Sequence, residues 1–434
     1  MLRLAWPVVL AELGWITMGI VDTKIVGPLG PAAIGAVGTG STMFFAVMVL
    51  GMGTLFALDT FVAQSFGANL IADCHRWLFA GLQLALLLSV ALVILGLVGV
   101  AQLSHAGIHP DVIVLLQPYL AALLWSAPPL LVFTVLRRYL QAMNIVGPTL
   151  FAAISANVVN VVANWALVFG HLGFPAMGVV GSAYATLVAR VYMMAVLAVV
   201  VFYREHRRPS GLHDVPFAID IPRMWSLVRL GTPAAVQLML EVGVFAAASG
   251  LAAVISPAAV AAHQIVLNIA SFFFMIPLGL SSAGAVRVGH AVGRGDLPGA
   301  RLAGWSALGL ALVAAVVMSV AFIIVPSLFL RIFTDEPAVL ATGATLLLIC
   351  AFFQPFDSAQ SVATGALRGL GETRVPMVAN LAGHWIIGLP IAYWLCFVRD
   401  WGVVGIWSGL TFGIVLIGTC LTAVWNRMSR PALG

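Results

Sequence analysis

Three carboxylates stand inside stretches that are otherwise apolar: Asp22, Glu241 in Gln237-Leu238-Met239-Leu240-Glu241-Val242, and Asp357 in Phe353-Gln354-Pro355-Phe356-Asp357-Ser358. An isolated ionised carboxylate in hydrocarbon is costly, so such acids face a polar cavity and exchange a proton or a cation there. Asp22 lies fifteen residues after Pro7, about 22 Å along a helix. The bland alternative puts Asp22 at the water interface beside Lys24. If Glu241 and Asp357 meet, two like charges in one place would hold a proton or a cation between them.

Polar residues near these acids can be weighed one by one. Asn157, Asn160 and Asn164 stand three and four apart and share one helix face; they either tie helices together or line a polar cavity with Asp22. Thr186 is a weaker candidate, since a helix threonine can bond its own backbone. In the second half His263, Gln264 and Asn268 fall in one segment, with Gln264 and Asn268 four apart. Gln354 precedes Pro355, which frees a backbone carbonyl able to help bind a cation. His384 stands alone and reads as a packing histidine. Glu12 suits a hydrated interfacial role, and Asp59, Asp73 and Asp296 read as solvated acids of loops or helix ends. Arg190, inside an apolar segment, either pairs with an acid or snorkels.

The elements that must position these groups are membrane helices. The chain has 434 residues, 62% hydrophobic and 8% charged, against about 25% charged in a soluble domain. Twelve apolar segments fall at 5–26, 32–58, 77–103, 112–136, 148–170, 178–203, 230–255, 258–284, 302–329, 338–366, 375–397 and 402–425. Their continuous apolar runs lack period-two alternation, which excludes an outer-membrane barrel. The fold expected is an all-α polytopic membrane protein with twelve transmembrane helices in two pseudo-symmetric six-helix lobes.

The lobes follow from self-similarity at a spacing near 226 residues. Arg3-Leu4-Ala5-Trp6-Pro7 recurs as Arg229-Leu230-Gly231-Thr232-Pro233, Pro31-Ala32-Ala33-Ile34 as Pro257-Ala258-Ala259-Val260, and Gly178-Val179-Val180-Gly181 unchanged as Gly402-Val403-Val404-Gly405. Six segments per half give both halves one topology, that of parallel repeats. The expected organisation is a lobe over 1–203, a polar linker over 204–229 and a second lobe over 230–434.

Of the twenty Lys and Arg residues, sixteen fall on the side of the termini, among them Arg76, Arg137, Arg138, Arg204 and Arg427, against Lys24, Arg331 and Arg399 opposite. Both termini are therefore expected in the cytoplasm of a bacterial-type plasma (inner) membrane. The scattered basic residues exclude a nucleic-acid partner. The first segment contains Pro7 and Glu12 and lacks a small-residue cleavage site, so it is expected to be retained. Cys74, Cys350, Cys396 and Cys420 give neither a disulfide framework nor a metal spacing.

The motifs Leu4-Ala5-Trp6-Pro7, Val21-Asp22-Thr23, Val62-Ala63-Gln64-Ser65-Phe66-Gly67-Ala68, Ala261-Ala262-His263-Gln264-Ile265-Val266-Leu267-Asn268 and Gly365-Ala366-Leu367-Arg368-Gly369 resemble those of multidrug and toxic compound extrusion (MATE) transporters, most closely the NorM branch. The resemblance runs from about residue 3 to 420. It implies an exporter, not an enzyme, that works without a cofactor and expels small organic cations in exchange for protons or sodium by alternating access. By matched motif, Asp22 would be the coupling acid of the first lobe, with Asn160 and Asn164 beside it. Glu241 and Asp357 would form the cation site of the second lobe, the place for a sodium ion. Asn157, Thr186, His263, Gln264, Asn268 and Gln354 would contribute to the polar cavity or bind substrate. Relatives carry a tyrosine where Phe353 stands, so one phenol ligand is missing here. A monomer embedded in the bilayer is expected.

Two other functions fit parts of the sequence. A flippase for a lipid-linked precursor would need a strongly basic cavity, whereas Arg190 is the one basic residue expected to be buried, against three acids. An intramembrane protease is mimicked by Gly293-Arg294-Gly295-Asp296 and by Ser281 with His384; the first sits in an arginine-bearing loop where a Gly-Asp turn needs no catalytic explanation.

Overall fold

The computed structural model describes residues 2–105 and 109–430; the side chain of Arg3, counted above among the basic residues, lies outside the described set. All regular structure in it is helical, as backbone groups in a bilayer require when no water can satisfy them. In chain order the helices are α1 (Leu2–Val26), α2 (Pro31–Leu55), α3 (Ala57–Gly67), α4 (Ile71–Gln102), α5 (Pro110–Leu124), α6 (Ala127–Ala142), α7 (Gly147–Phe169) and α8 (Val179–Arg207). Then follow α9 (Ile221–Ala253), α10 (Pro257–Gly293), α11 (Leu297–Ile324), α12 (Pro326–Leu330), α13 (Pro337–Gly369), α14 (Arg374–Asn380), α15 (Leu389–Tyr393) and α16 (Gly402–Met428). Two π-helical stretches, Leu381–Gly388 and Trp394–Val398, join α14 and α15 into one span, Arg374–Val398.

Among the described residues eleven helices are long and apolar enough to cross a membrane, and the α5–α6 pair, bent by 45°, brings the number to twelve when counted as one span. The expected segment 112–136 is therefore a broken span that ends at Ala142, with its break at Trp125 and Ser126. That places Arg137 and Arg138 inside α6, both buried, and corrects their assignment to a loop. Each is held by an acid of another helix: Arg137 donates to Glu12, and Arg138 Nη1 donates to Asp59 Oδ2 at 2.9 Å with its guanidinium 4.0 Å from the Phe56 ring. Asp59 is 0% exposed, so its reading as a solvated acid is also corrected. Burying either charge alone would be costly, and the paired partner offsets part of that cost.

The helices group into two compact units, Leu10–Ala235, and Val236–Gly434 together with Met1–Val9. Each boundary falls two residues after one of the equivalent prolines, Pro7 and Pro233, which lie inside α1 and α9.

The sequence repeat is also a repeat of backbone devices. Asn69, Asn144, Gly295 and Gly371 all have positive φ just past a helix end. In each case the following N–H returns to the carbonyl five residues back: Leu70 to Ser65, Ile145 to Leu140, Asp296 to Ala291 and Glu372 to Leu367, at 2.8–2.9 Å. This is the Schellman closure that satisfies the last free carbonyls of a helix. Asn69 with Gly295, and Asn144 with Gly371, stand at the repeat spacing. Gly178 and Gly402 share φ +56. Three residues on, Gly181 lies against the backbone of Leu167 and Gly405 against that of Leu395 and Cys396, too close for a Cβ.

Candidate functional site

In the Leu10–Ala235 unit, α1 and α7 run side by side in the same direction. Asn157 Nδ2 donates to Gly14 O at 3.0 Å, and seven residues later Asn164 Nδ2 donates to Asp22 Oδ1 at 2.7 Å. The matched register of the two helices thus sets asparagines opposite the acid. Asn160 Nδ2 donates to the same Oδ1 at 3.0 Å.

From α8, Thr186 Oγ1 lies 2.9 Å from Asp22 Oδ2 and 3.1 Å from Ser182 O. The close approach of α8 to α7 that brings it there depends on Gly181, where a Cβ would come within 2.5 Å of Leu167 O. Asp22 is 5% exposed, and Asn160 and Asn164 are fully buried. Three side-chain donors thus surround one buried carboxylate, an arrangement suited to stabilising its charge. The structure brings Asp22, Asn160, Asn164 and Thr186 together and leaves Asn157 two turns away as a helix tie.

One turn beyond Thr186 on the same helix, Arg190 is buried. Its Nη1 donates to Ser126 Oγ at the α5–α6 break, and its guanidinium sits 4.4 Å from the Phe44 ring. Tyr119 and Ser41 share a hydroxyl contact at 3.0 Å nearby. The sequence reading missed these neighbours; the signal was present in a lone arginine among apolar residues, whose positive charge needs company inside a membrane.

In the Val236–Gly434 unit, Glu241 on α9 and Asp357 on α13 are both half-buried. Phe353, one turn before Asp357, stacks on Trp407 with ring centroids 5.9 Å apart. His263 is fully buried and held on both ring nitrogens: Trp407 Nε1 donates to its Nδ1 at 3.0 Å, and its Nε2 lies 2.8 Å from Ser249 Oγ. Because Nδ1 accepts, Nε2 carries the proton and donates to Ser249, whose hydroxyl donates in turn to Phe245 O at 3.0 Å. Every hydrogen-bonding position of that imidazole is thus satisfied by the fold. Gln264 and Asn268 lie on the exposed face of α10, and Gln354 is buried with a long thiol contact from Cys350 at 3.9 Å.

The mimics of a protease have structural explanations. Gly295 provides the left-handed turn, and Asp296 Oδ1 accepts from Gly299 N at 2.8 Å, capping α11. Ser281 Oγ donates to Ser361 O at 2.7 Å instead of engaging His384. Among the described residues no group of three or more His, Cys, Asp or Glu is arranged to hold a metal ion.

Twelve spans in two repeated units, with acids held inside the helices and a charged site built from three of them, define a polytopic membrane transporter. The chain belongs to the MatE family, whose model matches residues 7–166 and 233–394, one stretch in each half. It is 37% identical to a probable multidrug resistance protein NorM of Mesorhizobium japonicum over 99% of this chain and 94% of that one. To the probable multidrug resistance protein NorM of Bradyrhizobium diazoefficiens it is 36% identical, over 100% and 94%. Among solved structures, the eukaryotic MATE transporter AtDTX14 matches with a TM-score of 0.87 at 22% identity, over 99% and 96% of the two chains. A MATE in the straight conformation matches with 0.89 at 19% identity, over 99% and 95%. At these identities the likeness concerns the fold.

Proposed function

We propose that this transporter is a secondary antiporter that exports small organic cations in exchange for protons or sodium by alternating access. It would work from a bacterial plasma (inner) membrane with both termini in the cytoplasm. The observation that carries the reading is Asp22, a buried carboxylate held by Asn160, Asn164 and Thr186. Such a group has no packing value and a clear use: a cation bound there in one state of the transporter and lost in the other couples two opposed fluxes. A difference of a few kcal/mol between the two states is enough. Glu241 and Asp357 form a second cation station in the other unit. The names of the relatives, multidrug resistance proteins, support export of drug-like cargo.

The test is drug efflux in membrane vesicles driven by a pH gradient or, separately, by a sodium gradient, for wild type and for Asp22→Asn, Glu241→Gln and Asp357→Asn. Each variant is expected to transport at a tenth of the wild-type rate or less under the gradient that drives the wild type. Wild-type rates in all three variants would refute the carboxylate mechanism.

A further inference from the structure

The turn after α6 and the end of α8 enclose a cavity of about 570 Å³, within the range of sites that hold a small ligand. Its floor is apolar, formed by Leu140, Met143, Ile145 and Leu212. The helix end builds that floor: with Asn144 left-handed, Ile145 N returns to Leu140 O at 2.8 Å and folds the Ile145 side of the turn onto Leu140. Its rim is cationic, formed by Arg204, Arg207 and Arg208, all exposed.

The acid in the wall is engaged by the loop that follows α8. Glu205 Oε1 accepts from the backbone N–H groups of Ser210, Gly211 and Leu212 at 3.0 Å, and Oε2 accepts from the Ser210 hydroxyl at 2.5 Å. Its oxygens are turned to the loop backbone and the Ser210 hydroxyl and not to the rim arginines. Arginines in the last turn of α8 complement the helix terminus and bias topology, but neither role requires a cavity or an apolar floor beneath them.

An apolar floor under three guanidiniums, at the end of a membrane-spanning helix, is complementary to a molecule with a hydrocarbon body and an anionic head. We propose that this cavity binds an anionic phospholipid, with the phosphate at Arg204, Arg207 and Arg208 and the upper part of an acyl chain across Leu140 and Met143. The site is separate from Asp22 and independent of the cargo and of the coupling ion.

The experiment uses the full chain purified in a neutral detergent and native mass spectrometry of bound phosphatidylglycerol against phosphatidylcholine. Wild type is expected to retain phosphatidylglycerol preferentially. Each Arg→Gln change at the rim should weaken that retention about fivefold, the factor equivalent to about 1 kcal/mol per basic residue, whereas Arg427→Gln should not. Met143→Trp, which fills the floor, should weaken lipid retention without changing the response to inorganic phosphate. Circular dichroism melts identify a variant that has not folded, and the rim changes that melt as the wild type does are the ones read. Equal retention of the two lipids, or undiminished retention in a folded rim variant, would overturn the proposal. So would displacement by millimolar phosphate combined with no effect of Met143→Trp, the signature of a small-anion site.

Discussion

Thr186 has one hydroxyl hydrogen and two acceptors within reach, Asp22 Oδ2 at 2.9 Å and Ser182 O at 3.1 Å. When Asp22 is ionised the hydrogen points to the carboxylate. When Asp22 carries a proton, the acid can donate to Thr186 Oγ1 while the threonine hydrogen turns to Ser182 O. Both protonation states are therefore satisfied with no heavy atom moving, which is what a group that must load and unload a proton needs. Removing the hydroxyl by Thr186→Val should slow proton-driven efflux about tenfold, the effect of a lost hydrogen bond to a charged group worth about 1.5 kcal/mol. Thr186→Ser should restore it. Equal slowing by both changes in the vesicle assay would instead assign Thr186 to packing.

At the scale of elements, the site depends on how closely α7 and α8 approach. A Cβ at Gly181 would meet Leu167 O at 2.5 Å and Leu167 C at 2.6 Å, backbone atoms that cannot rotate aside. Gly181→Ala should destabilise the protein by about 1–3 kcal/mol through overpacking and separate Thr186 from the asparagines. A lower thermal transition together with reduced efflux is the expected result; a wild-type melt would show that the helices accommodate the methyl. This glycine was legible in the sequence because its motif occurs twice, Gly178 to Gly181 and Gly402 to Gly405, and a backbone constraint selects the same residue wherever it recurs. The asparagine face on α7 was legible for a similar reason, since spacing along one helix is local. Contacts between distant residues were not: Glu12 with Arg137 and Asp59 with Arg138 join positions 125 and 79 residues apart, and nothing in either segment announces its partner. The α5–α6 break had a local sign, Pro128-Pro129, that the run of apolar residues concealed.

For the whole molecule, duplication supplies the scaffold and divergence supplies the sites. The helix-ending residues, the prolines of α1 and α9 and the glycine turns all correspond between halves, yet Asp22 has Ala248 at its equivalent position, fully buried, while the second half carries Glu241 and Asp357. Two stations built from different residues in different units can each carry a cation, and thermodynamics makes their number measurable. With the membrane potential clamped at zero, each coupled proton moving down a one-unit pH gradient contributes about 1.4 kcal/mol, a tenfold factor in the limiting cargo gradient. Two protons per cargo set a limit near a hundredfold and one proton a limit near tenfold. Asp22→Asn should therefore lower not only the rate but the limit itself, from about a hundredfold to about tenfold, read as the cargo ratio at which net flux through reconstituted vesicles reverses. A sodium gradient of the same magnitude applies the same arithmetic to a sodium-coupled station. If the reversal ratio of Asp22→Asn equals that of wild type under both gradients, Asp22 carries no coupled ion, and the exchange runs through Glu241 and Asp357 alone.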